Sequence, residues 1–118
     1  MSEILRGDLY WLEAAAAGGP DGPAHPWVVV QDDVFNRSRI TTIVVCALTS
    51  NLHRAGEPGN VLLAPGEGGL PRQSVVVVSQ IASVARDRLS ARIGALSSER
   101  VDQIVAGLRF QQAAFFRR

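Results

Sequence analysis

Short apolar runs alternate with Gly/Pro-rich gaps through most of the chain, and one helical periodicity closes it. Asp8–Glu13 is rich in strand formers and reads as a first strand. Pro26–Gln31 and Thr41–Leu48 are apolar at successive positions, the pattern of strands covered on both faces. Val61–Ala64 and Ser74–Ser79 read as a fourth and fifth strand, joined through the Gly/Pro-rich stretch 65–72 as a hairpin. A sixth strand is expected around Arg88–Ile93. Ala14–Ala24 begins with four alanines, but Gly18, Gly19, Pro20, Gly22 and Pro23 end any helix at once, so a mobile loop is expected. The polar stretch Asp32–Arg39 predicts one helical turn capped by Asp32 or Asp33. Ser97 is a good helix N-cap, with Glu99 and Asp102 in the first turn. Val101, Ile104, Val105, Leu108 and Phe115 then share one face at 3.6-residue spacing, and Arg109, Arg117 and Arg118 load the late end. Five or six short strands before one helix predict a mainly β architecture: a small, strongly bent antiparallel barrel with a C-terminal helix packed on it.

Length and charge narrow this further. The 118 residues, 47% of them hydrophobic, suit one domain over 1–118 with a real core. All 12 basic residues are Arg, against 11 acids, for a net charge of +1. A polybasic nucleic-acid tail is excluded. The charge is uneven. Residues 1–59 carry four Arg and seven acids, net −3, whereas residues 60–118 carry eight Arg and four acids, net +4. The absence of Lys fits a GC-rich genome. The lone Cys46 sits in an apolar run and reads as a small buried hydrophobe, which suggests a reducing compartment. No signal peptide is visible, and no apolar run approaches the roughly 18–20 residues that span a bilayer. A soluble cytoplasmic domain, with no membrane partner, is expected.

Familiar motifs are mostly misleading here. Arg6-Gly7-Asp8 matches an adhesion tripeptide but stands directly before a strand, where chance explains it. Gly66-Glu67-Gly68-Gly69 lacks the spacing and the Lys of a phosphate loop. His25 and His53 have no partners at zinc-ligand spacing, so neither a metal nor a cofactor is expected. What remains is a polar pair: His25 at the start of the second strand and Thr49 at the end of the third. Neighbouring strand ends lie about 5 Å apart. An imidazole and a hydroxyl at one rim of a sheet can hold a reacting group.

Several blocks together carry a resemblance. Arg6-Gly7-Asp8-Leu9-Tyr10-Trp11 is followed by Pro26 with Val28-Val29-Val30-Gln31, then Asp33 with Asn36-Arg37-Ser38. Leu48-Thr49-Ser50-Asn51, Pro58-Gly59-Asn60-Val61, Gly69-Leu70-Pro71 with Ser74-Val75-Val76, Gln80-Ile81 and Arg92-Ile93-Gly94 continue the series in order. Over about residues 5–110 this set resembles the MazF/PemK toxin family. The resemblance implies an SH3-like (CcdB/PemK-like) β-barrel with a C-terminal helix, usually as a homodimer. It implies a toxin of a type II toxin–antitoxin system that inhibits translation and growth. The implied activity is a sequence-specific, metal-independent endoribonuclease. Single-stranded RNA is cut to 2′,3′-cyclic phosphate and 5′-hydroxyl ends. A cognate MazE-like antitoxin is the implied second partner, its disordered tail lying in the RNA groove.

Family members use an Arg before the Pro of the second strand and a Thr ending the third. Thr49 matches the Thr, but His25 stands at the Arg position. Either the imidazole takes over catalysis, or the copy is degenerate. An imidazole titrates near neutral pH and can move protons there, which Arg does with difficulty. Asp21, Ser50, Asn51 and Gln80 are the implied RNA-binding residues. Pro20 falls where relatives often carry an acid, with Asp21 beside it, and Ser79 replaces another acid. Arg72, Arg86, Arg88 and Arg92 are candidates for local positive potential. The alternative is a non-catalytic module, CcdB-like or degenerate MazF-like, that acts by binding protein or RNA; it needs neither His25 nor Thr49.

Overall fold

Alternation and turn chemistry place six strands, and a computed structural model describes residues 3–113. Phe115, Arg117 and Arg118, expected at the end of the helix, lie outside that range. The strands are β1 (Asp8–Glu13), β2 (Ala24–Val29), β3 (Thr42–Thr49), β4 (Val61–Leu62), β5 (Val75–Ala85) and β6 (Arg92–Ala95). They form one curled antiparallel sheet in the order β4-β5-β3-β2-β1-β6. A helical turn, α1 (Asp33–Asn36), follows β2, and the long helix α2 (Ser98–Ala113) ends the described chain. The architecture is the expected bent β-sheet with a C-terminal helix, and β4 and β5 pair as the expected hairpin.

β2 and β3 are central and buried on both faces, as their unbroken apolar runs require. One face holds Leu9, Val28, Val30, Cys46, Leu48 and Val76, covered by Ile104 of α2 and by Leu96. The other holds Tyr10, Leu12, Val29, Ile43, Val45 and Val84. Ala16 and Ala17 pack on this second cluster. That contact corrects the expectation of a wholly mobile loop over 14–24. The four alanines Ala14–Ala17 wind into a 3-10 turn that closes on Gly18, where φ is +84°. Side chains this small let the turn sit flat on the sheet, and the Gly/Pro-rich remainder follows as exposed loop.

Two further boundaries differ from expectation. β5 runs to Ala85 rather than stopping at Ser79, because polar Ser79 and Gln80 belong to a bulge. Val77 pairs with Ala47 while Ile81 pairs with Cys46, the adjacent residue, so residues 78–80 are extra on one strand. The sixth strand also begins later, since Arg86–Arg88 form a 3-10 turn first. Its Gly94 is required by proximity: a Cβ there would collide with the Gly68 carbonyl.

Caps behave as their residue types dictate. The Asp32 carboxylate accepts from Val34 N–H at 2.9 Å and caps α1. Ser97 Oγ accepts from Arg100 N–H at 3.2 Å and caps α2. Asp33 accepts from Arg6 N–H at 2.7 Å and from the Asn36 amide at 3.0 Å. Asp8 of the adhesion-like tripeptide is buried and ion-paired with Arg92 at 3.2 Å, so its role is structural.

Candidate active site

The register of the central strands brings the candidate pair together. β2 and β3 pair as Trp27↔Ala47, Val28↔Cys46 and Val29↔Val45. The paired register ends at Trp27↔Ala47; continued two residues toward the open end it aligns His25 with Thr49, and both residues line one cleft. Both fall on the face of Trp27 and Ala47, since side chains repeat every two residues. On the other side of β3, Thr49 pairs with Val75, so the segment entering β5 runs alongside. At this rim lies a cleft of about 330 Å³, lined by Trp11, His25, Pro26, Leu48, Thr49, Ser50, Pro71, Arg72 and Ser74.

Local bonding prepares several of these groups. Thr49 Oγ1 accepts from Asn51 N–H at 3.2 Å, which occupies a lone pair and leaves the hydroxyl hydrogen to donate. The buried Ser74 hydroxyl donates to the Arg72 carbonyl at 3.0 Å. Gln73 donates to the Leu63 carbonyl at 2.9 Å, and Leu63 N–H donates to the Ser74 carbonyl at 3.0 Å. The backbone around Arg72 is therefore tied down on both sides. An imidazole, a poised hydroxyl and a guanidinium line one half-open space. Such a set suits an anionic substrate whose reaction moves a proton and builds negative charge.

The other sequence-derived positions scatter. Ser50 lines the cleft with Thr49. Asn51 stands next door, but its side-chain oxygen is engaged by His53 N–H at 3.2 Å, capping the 3-10 turn Leu52–Gly56. Asp21 is exposed in the loop before β2 and is not among the lining residues. Gln80 is exposed in the β5 bulge, also away from the lining. Of the four candidate arginines, Arg86 donates to the carbonyls of Asn36 and Ile40, each at 2.9 Å, and Arg92 pairs with Asp8. Arg88 is exposed elsewhere. Arg72 alone of the four reaches the cleft. Sequence reasoning named Arg72 only as one of those four and gave Trp11 no part in the site, although Arg72 follows Pro71 just ahead of the strand that pairs with Thr49.

Cys46 is removed from the chemistry. Burial pushes its thiol up to about 12, against a smaller opposing effect of the Ala47 N–H. Its Sγ donates to the Val77 carbonyl at 2.9 Å.

Comparisons with known proteins add a second line of observation. A family model described as "PemK-like, MazF-like toxin of type II toxin-antitoxin system" matches residues 5–111. The endoribonuclease MazF6 of Mycobacterium tuberculosis is 34% identical over 107 residues, covering 90% of this chain and 94% of that protein. The endoribonuclease EndoA of Bacillus subtilis is 31% identical over 111 residues, covering 93% and 95%. Among solved structures, a mycobacterial endoribonuclease in complex with its cognate antitoxin superposes with a TM-score of 0.76 at 23% identity, over 92% of this chain and 94% of that one. A MazF from Deinococcus radiodurans gives 0.74 at 21% identity, over 96% and 99%. At these identities the structural likeness speaks to the fold.

Proposed function

As a member of the PemK-like, MazF-like toxin family of type II toxin–antitoxin systems, this chain is an endoribonuclease toxin, and we propose that it cuts single-stranded RNA in the cleft shared by His25 and Thr49. The observation that carries this reading is that His25 and Thr49, from adjoining ends of the paired strands β2 and β3, both line one half-open cleft.

The chemistry follows from the groups present. Neutral His25 accepts the proton of the RNA 2′-hydroxyl. The freed oxygen attacks the adjacent phosphorus, and the bond from phosphorus to the 5′-oxygen breaks. That oxygen leaves with a proton from solvent, giving a 2′,3′-cyclic phosphate and a 5′-hydroxyl without a metal. Thr49 donates its hydroxyl hydrogen to a non-bridging oxygen, where charge accumulates in the phosphorane. Trp11 supplies an aromatic surface of the kind on which a base stacks. On this reading Asp21 and Gln80, which lie outside the cleft lining, meet nucleotides beyond the scissile one, and Ser50 and Asn51 act nearer to it. Together they give the cut its sequence preference.

A cognate MazE-like antitoxin neutralises the protein by laying a disordered, acidic tail over the same cleft. The protein acts in the cytoplasm as one catalytic unit per chain over residues 1–118, two chains forming a homodimer.

Purified protein incubated with mixed single-stranded RNA in EDTA, with the ends mapped, tests the reading. Cleavage is expected at a short preferred sequence. His25→Ala and Thr49→Ala should each lose about 10²–10⁴-fold in rate. A wild-type protein that cuts nothing, or variants that cut as fast as it does, would leave a binding module instead.

A further inference from the structure

We propose that Arg72 is the cation that contacts the scissile phosphate beside His25 and Thr49, neutralising the charge that builds on its non-bridging oxygens. This rests on reading the cleft as the cleavage site. The first support is how the other arginines are used. Arg6 donates to the Val30 carbonyl and pairs with Asp32, Arg37 pairs with Glu3, and Arg54 pairs with Glu57. Arg86 holds two carbonyls, Arg92 holds Asp8, and Arg100 holds Glu67 and Gln103. Among the described residues, Arg39, Arg72, Arg88 and Arg109 make no side-chain hydrogen bond or ion pair. Only Arg72 of these lines the cleft of His25 and Thr49; Arg39 and Arg109 line depressions elsewhere.

The second support is the way its backbone is held. Leu70 is buried at 4% exposure and Ser74 at 4%, so the segment is pinned at both ends. Between them, Ser74 Oγ donates to the carbonyl of Arg72 itself, and Gln73 is tied to Leu63. The side chain is exposed while its backbone is fixed. A long cation on a fixed base can follow a phosphate as it passes from tetrahedral to five-coordinate. It does so with little reorganisation of the protein, which is where such donors gain their catalytic effect.

The third is charge. No carboxylate lines this cleft, so nothing in its lining neutralises the Arg72 guanidinium. The dianionic phosphorane meets the hydroxyls of Thr49 and Ser50 and the imidazolium that His25 becomes on taking the proton, but among the lining residues Arg72 is the one that carries its positive charge at every step. The planar guanidinium can give two parallel hydrogen bonds to two phosphate oxygens, which a Lys ammonium cannot.

Single-turnover cleavage of a short RNA by Arg72→Ala, Arg72→Lys and wild type tests the assignment, beside binding of the same RNA with a 2′-deoxy group at the cleaved position. The alanine variant should lose about 10²–10³-fold in cleavage rate. Its affinity for the uncleavable RNA should weaken by no more than about tenfold, consistent with loss of one phosphate contact. Lysine should recover only part of the rate, and millimolar guanidinium should partly rescue the alanine variant, which shows in the same sample that it is folded. An alanine variant within about threefold of wild-type rate, while His25→Ala and Thr49→Ala are inactive, overturns the assignment and leaves the cleft reading standing. A loss confined to affinity, with the single-turnover rate at saturation unchanged, also overturns it. If the wild type cuts nothing, or His25→Ala and Thr49→Ala cut as it does, the cleft reading itself has failed.

Discussion

Cys46 and Thr49 lie three residues apart on β3, and the sheet treats the two nucleophilic atoms oppositely. Cys46 points into the helix-covered core, where burial holds its thiol near 12 and its hydrogen goes to the Val77 carbonyl. Against a free cysteine at about 8.5, its thiolate fraction at neutral pH is lower by about 10³. Iodoacetamide should therefore alkylate the native protein at least about a hundredfold more slowly than the unfolded chain, read by mass spectrometry with and without denaturant. Fast native labelling would contradict the buried placement. Thr49 sits at the strand's open end, half exposed, with its hydroxyl hydrogen free. Both placements were legible: an apolar run around a lone Cys, and a hydroxyl where that run stops. Arg72 was not legible in the same way. Nothing in a list of twelve arginines separates the committed from the free, because that depends on which acids and carbonyls the fold brings near.

Between elements, the pair Glu67–Arg100 fastens the turn before β5 to the helix α2. Arg100 Nε donates to Glu67 Oε2 at 2.8 Å and Nη2 to Oε1 at 3.1 Å. Burial works to raise the Glu67 carboxyl, but the Arg100 hydrogen bonds, the Ala64 N–H and the Arg100 charge outweigh it and hold it below the usual range. A carboxyl lowered by folding stabilises the folded state fully above its unfolded value, near 4.3, and loses that contribution as pH falls through its folded value. Glu67→Gln should therefore melt lower than wild type at pH 7, by roughly 4 °C for a pair contributing about 1 kcal/mol. The gap between the two proteins should close as the pH is taken toward 3. A gap that stays constant would mean that the carboxylate charge contributes nothing. The elements themselves were mostly visible in the sequence, β1 with its bounds and α1 and α2 by their caps. The end of β5 was hidden because a bulge puts polar Ser79 and Gln80 inside a strand. The alanine turn was hidden because its order comes from packing on the sheet, not from its own propensity.

At the scale of the whole molecule, two surfaces stand out among the described residues. One is the cleft. The other is a depression of about 540 Å³ between α1 and α2, where Phe35, Ile40 and Ile81 expose 49, 41 and 37% of their surfaces beside Val44, Val105 and Leu108. Apolar side chains gathered in this way are the kind of patch a second copy covers. Light scattering at micromolar concentration should give twice 12.6 kDa for the wild type. A Phe35→Glu/Ile40→Glu variant should fall toward a single chain, and a monomeric wild type would exclude the dimer. The net charge of +1 takes on a different meaning at this scale. Six of the ten described arginines are held by carboxylates or carbonyls, so the positive potential left over is local. The sheet's two-sided burial has a consequence for how such a protein diversifies. With both faces of β2 and β3 filled, neither face can change without cost to folding, and only the strand ends and their loops stay open to substitution. His25 and Thr49 are anchored by the packed interior, while the loop after Ala17 and the bulge at 78–80 can drift. On this scaffold the loop and the bulge can therefore change while the strand ends that carry His25 and Thr49 stay in place.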